Sequence, residues 1–114
     1  MTRHSLFLGV LVAATIFSSP SSQASGADQP LVVTLTNHIF SPQVLAVPAD
    51  RKIRLTIRNQ DPTPAEFESN SLNREKIVTA NAEITVFIGP LKAGTYGYYD
   101  DFHKATTTGT IEAK

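Results

Sequence analysis

The feature that constrains this chain most is the run Ile53-Arg54-Leu55-Thr56-Ile57-Arg58, with an apolar residue at every second position and a polar one between. Successive side chains of an extended strand point to opposite faces, so this spacing gives one buried face and one wet face. Ile84, Val86 and Ile88 repeat the pattern, and Leu31-Val32-Val33-Thr34-Leu35-Thr36 carries the β-branched residues that suit a pleated surface. Turn residues punctuate these runs. Asn37-His38 followed by Phe40-Ser41-Pro42 reads as a bend, and Asn59 to Pro64 reads as a loop because two prolines and an Asp-Pro step break any regular element. Val44, Ala46 and Pro48 fit an edge strand, since proline cannot donate to a central ladder. Ala65 to Ser69 resumes an extended run, and Ser71 to Lys76 is expected to make a single helical turn before Ile77-Val78-Thr79. Gly89 to Gly94 is a turn, followed by an aromatic strand at Thr95–Tyr99 and a last strand from about Thr107 to Ala113. About seven short strands at this spacing predict an all-β Greek-key sandwich of two sheets. Tyr96, Tyr98 and Tyr99 are expected to be packing residues of that sandwich.

The chain has 114 residues, room for one domain. Its start is laid out as a secretory signal, with Arg3 and His4, an apolar run from Leu6 to Phe17, and a small, polar stretch after it. The apolar run falls short of the roughly 20 residues that a spanning helix needs. The expectation is a cleaved signal peptide at 1–24, a linker at 25–30 and one domain at 31–114, exported to the periplasm. Cleavage after Ala24 and after Ala27 both remain open. Ten Lys and Arg stand against ten Asp and Glu, and loss of Arg3 with the leader leaves nine against ten. No long run of one charge exists, so nucleic acid is not an expected partner.

There is no cysteine. Lipoprotein attachment, disulfides, zinc–thiolate sites, cysteine nucleophiles and thiolate copper ligands are thereby excluded. Any metal must be held by oxygen and imidazole. Such donors sit mainly in two places, Glu66-x-Glu68 with Glu75 a little beyond, and Asp100-Asp101-Phe102-His103. On an extended strand Glu66 and Glu68 share a face, where their charges repel unless they are protonated, solvated or bridged by a cation. Each cluster alone also fits a solvated surface, or for His103 a hydrogen-bonded surface histidine. Arg74 is placed to pair with one of the carboxylates. His38, in the first bend, reads first as a surface turn residue. No nucleophile stands beside a base in a recognisable motif, so a hydrolytic enzyme is not expected.

The segment Gly94-Thr95-Tyr96-Gly97-Tyr98-Tyr99-Asp100-Asp101-Phe102-His103 resembles the strand and loop where cupredoxins write G-x-Y-x-F/Y-Y-C-x-x-H. In that resemblance Asp100 stands at the cysteine ligand, His103 at the second histidine, Thr107 near the methionine and Glu66 near the first histidine. Three of the four usual ligands are replaced. Without thiolate and thioether, blue-copper electron transfer loses the soft donors on which it depends. The strings Thr63-Pro64-Ala65-Glu66-Phe67-Glu68, Leu72-Asn73-Arg74-Glu75-Lys76, Gly89 to Tyr96 and Asp101-Phe102-His103 further resemble cupredoxin-like proteins and domains of bacterial periplasmic iron uptake, including the amino-terminal domain of EfeO-type components.

The resemblance implies a non-enzymatic metal-binding protein whose primary site is Glu66, Glu68, Asp101 and His103, with Glu75 and Asp100 accessory; a ferroxidase-like accessory role is left open. The ion implied is iron or copper. The partners implied are an inner-membrane iron permease or other periplasmic uptake components, with a homodimer also open. A copper carrier or tolerance protein, and a metal-free module that docks on a permease, are the competing expectations.

Overall fold

The computed structural model describes residue 2, residues 9–19 and residues 30–114. Of the expected signal peptide at 1–24 and linker at 25–30, residues 1, 3–8 and 20–29 lie outside the described residues. Residues 9–19 form neither helix nor strand, and no described helix is long and apolar enough to cross a membrane.

The alternation seen in the sequence is realised as a two-sheet sandwich. Among the described residues the strands are β1 (Leu31–Thr36), β2 (Ile39–Ser41), β3 (Val44–Val47), β4 (Ile53–Asn59), β5 (Ala65–Ser69), β6 (Arg74–Val78), β7 (Glu83–Ile88), β8 (Gly94–Asp100) and β9 (Thr108–Ala113), with one 3-10 turn at Asp101–His103. One sheet runs β2-β1-β4-β7 and the other β3-β9-β8-β5-β6. The chain changes sheet repeatedly, so β1–β4 and β3–β9 pair in parallel while the remaining pairs are antiparallel. In β4 the odd positions Ile53, Leu55, Ile57 and Asn59 are buried and the others are not, as period two requires. Ile53, Leu55 and Ile57 join Val33, Leu35, Val86 and Ile88 of their own sheet and Phe67, Val78, Tyr98 and Ile111 of the other in one core. As expected, β3 is an edge strand.

Two of the nine strands were not expected. Phe40 lies in a short strand rather than a bend, because its buried ring is drawn inward opposite Leu35 once Asn37 and His38 reverse the chain. Arg74 to Lys76 do not form a helical turn. They pair with β5 in the register Ser69↔Arg74, Glu68↔Glu75 and Phe67↔Lys76, and Asn73 at φ 52° closes the hairpin. Burial of Leu72 and Val78 at the two ends of that segment fixes the pairing.

Tyr98 anchors the middle of the core, edge-on to Phe40 at 4.9 Å and beside Phe67 at 5.0 Å. Its ring lies directly over Gly109, where a Cβ would overlap it. Gly109→Ala is therefore expected to destabilise the domain by about 1–3 kcal/mol, measured by urea unfolding. The Tyr98 hydroxyl is buried with no hydrogen-bond partner among the described residues, and burial pushes its pKa up. Tyr98→Phe removes only that unpaired group, so its unfolding midpoint should equal or exceed that of the wild type.

Candidate metal centre

Three segments meet at one end of the sandwich: the β1–β2 turn, the proline loop between β4 and β5, and the segment leaving β8. Asn59 organises the loop. Its buried amide donates to the carbonyl oxygens of Thr63, Val78 and Thr79, and its Oδ1 accepts from the Asp61 N–H. Asp61 is thereby held under the β1–β2 turn, where Oδ1 accepts from Asn37 N–H at 2.6 Å and Oδ2 from His38 N–H at 2.9 Å. These bonds stabilise left-handed backbone at both residues, φ 50° and 60°. The His38 Nδ1 lies 3.6 Å from Asp61 Oδ2.

Asp100 has the same relation to His103. The period-two strand turns it inward beside Tyr98, so its carboxylate is sequestered from water. Oδ1 accepts from Glu66 N–H at 2.9 Å and Phe102 N–H at 3.1 Å, which ties β5 to the 3-10 turn. Oδ2 lies 3.0 Å from His103 Nδ1. Thr107, near the resemblance's methionine position, is a buried tether: its hydroxyl donates to the His38 carbonyl and its N–H to the His103 carbonyl. The His38 and His103 rings end up in contact, with centroids 4.0 Å apart.

The opposite face of β8 and β5 carries the other carboxylates. Glu66 and Glu68 point away from the core while Ala65, Phe67 and Ser69 point in. One oxygen each from Glu66, Glu68 and Asp101 lies within 4.8 Å of the others. Glu75 stands directly across from Glu68 on β6. Repulsion of this kind appears in Glu66, whose pKa is pushed up to about 7 by hydrogen bonding to the Glu75 carboxyl, by partial removal from water, and by the charges of Glu75, Asp101 and Glu68.

The six residues predicted as ligands are thus divided. Glu66, Glu68, Glu75 and Asp101 come together on the outer face, whereas Asp100 and His103 gather with His38 at the inner edge. Arg74 does not pair with the carboxylates. Its guanidinium donates to the carbonyls of Phe87 and Asn73, because β6 turns it toward the neighbouring sheet. His38 acquires a place in the site that its local sequence does not signal, since only the sheet topology brings the first turn against the last loop.

A carboxyl whose folded pKa lies above its unfolded value binds more protons folded than unfolded between the two. Glu66 stabilises the fold fully below pH 4.5, the unfolded value, and that contribution is lost as pH rises through about 7. Thermal melts in metal-free buffer should therefore show stability declining across pH 4.5–7 from this group, with Glu66→Gln flattening that part of the profile.

Fold and site together define a Greek-key β-sandwich with oxygen and imidazole donors at its loop end. The chain matches the cupredoxin-like domain family over residues 8–113 and belongs to that family. An uncharacterized protein of Rickettsia prowazekii (strain Madrid E) is 46% identical over 79 residues, covering 69% of this chain and 63% of that protein. The chain therefore spans just under two thirds of that relative's length. Amicyanin from Paracoccus versutus superimposes with a TM-score of 0.59 at 14% identity, over 85% of this chain and 86% of its own. A purple cupredoxin from Nitrosopumilus maritimus gives 0.59 at 18% identity, over 74% and 99% respectively. A reduced amicyanin variant gives 0.61 at 18%, over 77% and 85%. At these identities the likeness is one of fold.

A thiolate-bound copper centre does not fit this chain, because no sulfur ligand of that kind exists and a saturated carboxylate, Asp100, lies next to His103. The donors present fit harder and borderline ions.

Proposed function

We propose that this chain is an exported, periplasmic metal-binding protein that holds iron on the outer carboxylate face, for an inner-membrane permease or another component of an uptake system. The observation that carries this is the convergence of Glu66, Glu68, Glu75 and Asp101 with no ion pair to Lys or Arg among the described residues. Carboxylates gathered this way repel one another, and a 2+ or 3+ ion converts the repulsion into binding free energy. Oxygen donors favour iron over the soft cuprous ion. The resemblance of the Glu66–Glu68 and Leu72–Lys76 strings to EfeO-type domains supports the iron assignment. Binding and release suffice for this role, and no catalytic step is proposed.

Elemental analysis of protein recovered from the periplasm, followed by anaerobic Fe(II) binding with Cu(II) competing at equal free concentration, tests the proposal. Iron in the isolated protein, lost in Glu66→Gln/Glu68→Gln, is the expected result. Protein free of iron, with Fe(II) affinity unchanged by that pair of substitutions, overturns it.

A further inference from the structure

Away from the loop end, on the outer face of the four-stranded sheet, an aromatic ring is surrounded by cations. β7 turns Val86 and Ile88 into the core and Phe87 outward, 45% exposed and directly across from Arg54 on β4. The Lys52 ammonium stands 4.6 Å from the centre of that ring and the Arg54 guanidinium 5.7 Å from it. Arg74 reaches across from β6, its Nε donating to the Phe87 carbonyl at 2.8 Å. The β3–β4 and β7–β8 turns are joined by the bond from Asp50 N–H to the Leu91 carbonyl at 2.7 Å, and they add Arg51 and Lys92 at the same end of the sandwich. We propose that this face is a docking surface for a bilayer rich in anionic phospholipid, with Phe87 entering the headgroup region and the surrounding cations meeting lipid phosphates.

The charge pattern supports this occupant. None of these five cations makes an ion pair among the described residues, and Asp50 is the one carboxylate in the two turns. The carboxylates Glu66, Glu68 and Asp101 gather on the other sheet, toward the opposite end. Ten Lys and Arg balance ten Asp and Glu in the whole chain, so an anionic surface attracts it through this segregation and not through net charge. Only the Phe87 face forward is attractive.

The mixture of side chains points to lipid. An exposed ring among basic stems suits the boundary between headgroups and acyl chains, where the apolar part enters and the cations stay at the phosphates. The chain also enters the domain here: Leu31 of β1 pairs with Leu55, the neighbour of Arg54, so the sequence carrying the apolar run Leu6–Phe17 leads in beside the patch. Docking in this orientation turns the carboxylate face away from the lipid and leaves it open to ions from water. The docking surface stands whether or not that face holds iron.

The chain contains no tryptophan, so Phe87→Trp places a single fluorescent reporter in the patch. Protein isolated from cells is mixed with vesicles of phosphatidylcholine alone, or of equal parts phosphatidylcholine and phosphatidylglycerol, at about 0.1 M salt. Emission should shift to the blue and be quenched by brominated lipid on the mixed vesicles alone. Unshifted emission on the mixed vesicles, or the same shift on both kinds, overturns the proposal.

Co-sedimentation with the mixed vesicles measures the share of each group. A basic side chain near an anionic surface contributes a factor of about five, so Lys52→Gln/Arg54→Gln should weaken binding about 25-fold. Phe87→Ser should weaken it about tenfold. Lys104→Gln, a charge loss beside Tyr99 at the carboxylate end, should change it by less than about twofold. The substituted side chains are exposed, so melting points without vesicles should stay close to that of the wild type; where the serine variant melts early, the tryptophan reporter decides. Affinity unmoved by the Lys52 and Arg54 substitutions, or moved as far by Lys104→Gln, overturns the proposal. Tighter binding to poly-glutamate than to the mixed vesicles, with the same dependence on Lys52 and Arg54, assigns the face to an acidic protein and also overturns it.

Discussion

Asp100→Ala is expected to lower stability by about 2–4 kcal/mol, one of the largest effects of any single substitution at the loop end of this sandwich. The carboxylate is buried and takes three hydrogen bonds: from Glu66 N–H, from Phe102 N–H and on the His103 imidazole. Alanine leaves the Glu66 and Phe102 N–H groups without their acceptor at a place water reaches poorly, and each unpaired donor costs about 1–3 kcal/mol. His103 is partly exposed and regains solvent, so its share is small. The stability change also has a position. Asp100 joins β5 to the turn after β8, so amide exchange should accelerate first at Glu66 and across Asp101–His103, ahead of the β4–β7 ladder. Asp100→Asn should retain most of the stability, because its carbonyl still accepts both N–H groups. Urea unfolding of the two variants separates the cases. A loss below about 1 kcal/mol for alanine would mean that water satisfies the two donors.

The same residue shows where sequence reasoning stopped. Period two, visible in Ile53–Arg58 and in Ile84–Ile88, placed the buried faces correctly because alternation is a property of the extended backbone itself. β6 escaped because Arg74-Glu75-Lys76 has no apolar alternation. Its strand state comes from pairing with β5, a neighbour the local sequence does not specify. In the site, i and i+2 spacing correctly joined Glu66 to Glu68. It does not extend past β8: the 3-10 turn at Asp101–His103, which alternation does not signal, brings His103 back to Asp100, three residues before it, and away from Asp101. The contact of His38 with His103 depends on β1 and β2 lying in one sheet and β8 in the other, with their ends converging. No residue near His38 encodes that. Asp61, which fixes His38, has in the sequence only the look of a loop residue before proline.

Glu66→Gln/Glu68→Gln should raise the melting temperature of the metal-free protein and abolish its response to the ion bound on the outer face. Glu68 lies directly opposite Glu75, and Glu66 is held near pKa 7 by Glu75, Asp101 and Glu68, so the folded state without metal keeps carboxylates at a separation that charge opposes. Glutamine keeps the shape and the hydrogen-bonding capacity and removes the repulsion. Added ion reverses the ranking. A ligand at 100 times its Kd stabilises the native state by about 2.7 kcal/mol. In a domain of this size each kcal/mol moves the midpoint by roughly 4–8 °C, so the wild type should gain roughly 10–20 °C. Loss of two anionic ligands weakens binding by on the order of 100-fold or more, and the variant at the same ion concentration should gain almost nothing. The two melting curves therefore cross: the variant is the more stable without metal and the wild type the more stable with it. The crossing should move with pH. Below about pH 7 the Glu66 proton must be displaced before the ion binds, so the metal-induced rise shrinks as pH falls, and it grows as pH climbs through that value. Differential scanning calorimetry at pH 6 and pH 8, with and without the ion, measures both effects. A variant less stable than the wild type without metal would show that the outer carboxylates are held by favourable contacts rather than kept apart for a cation.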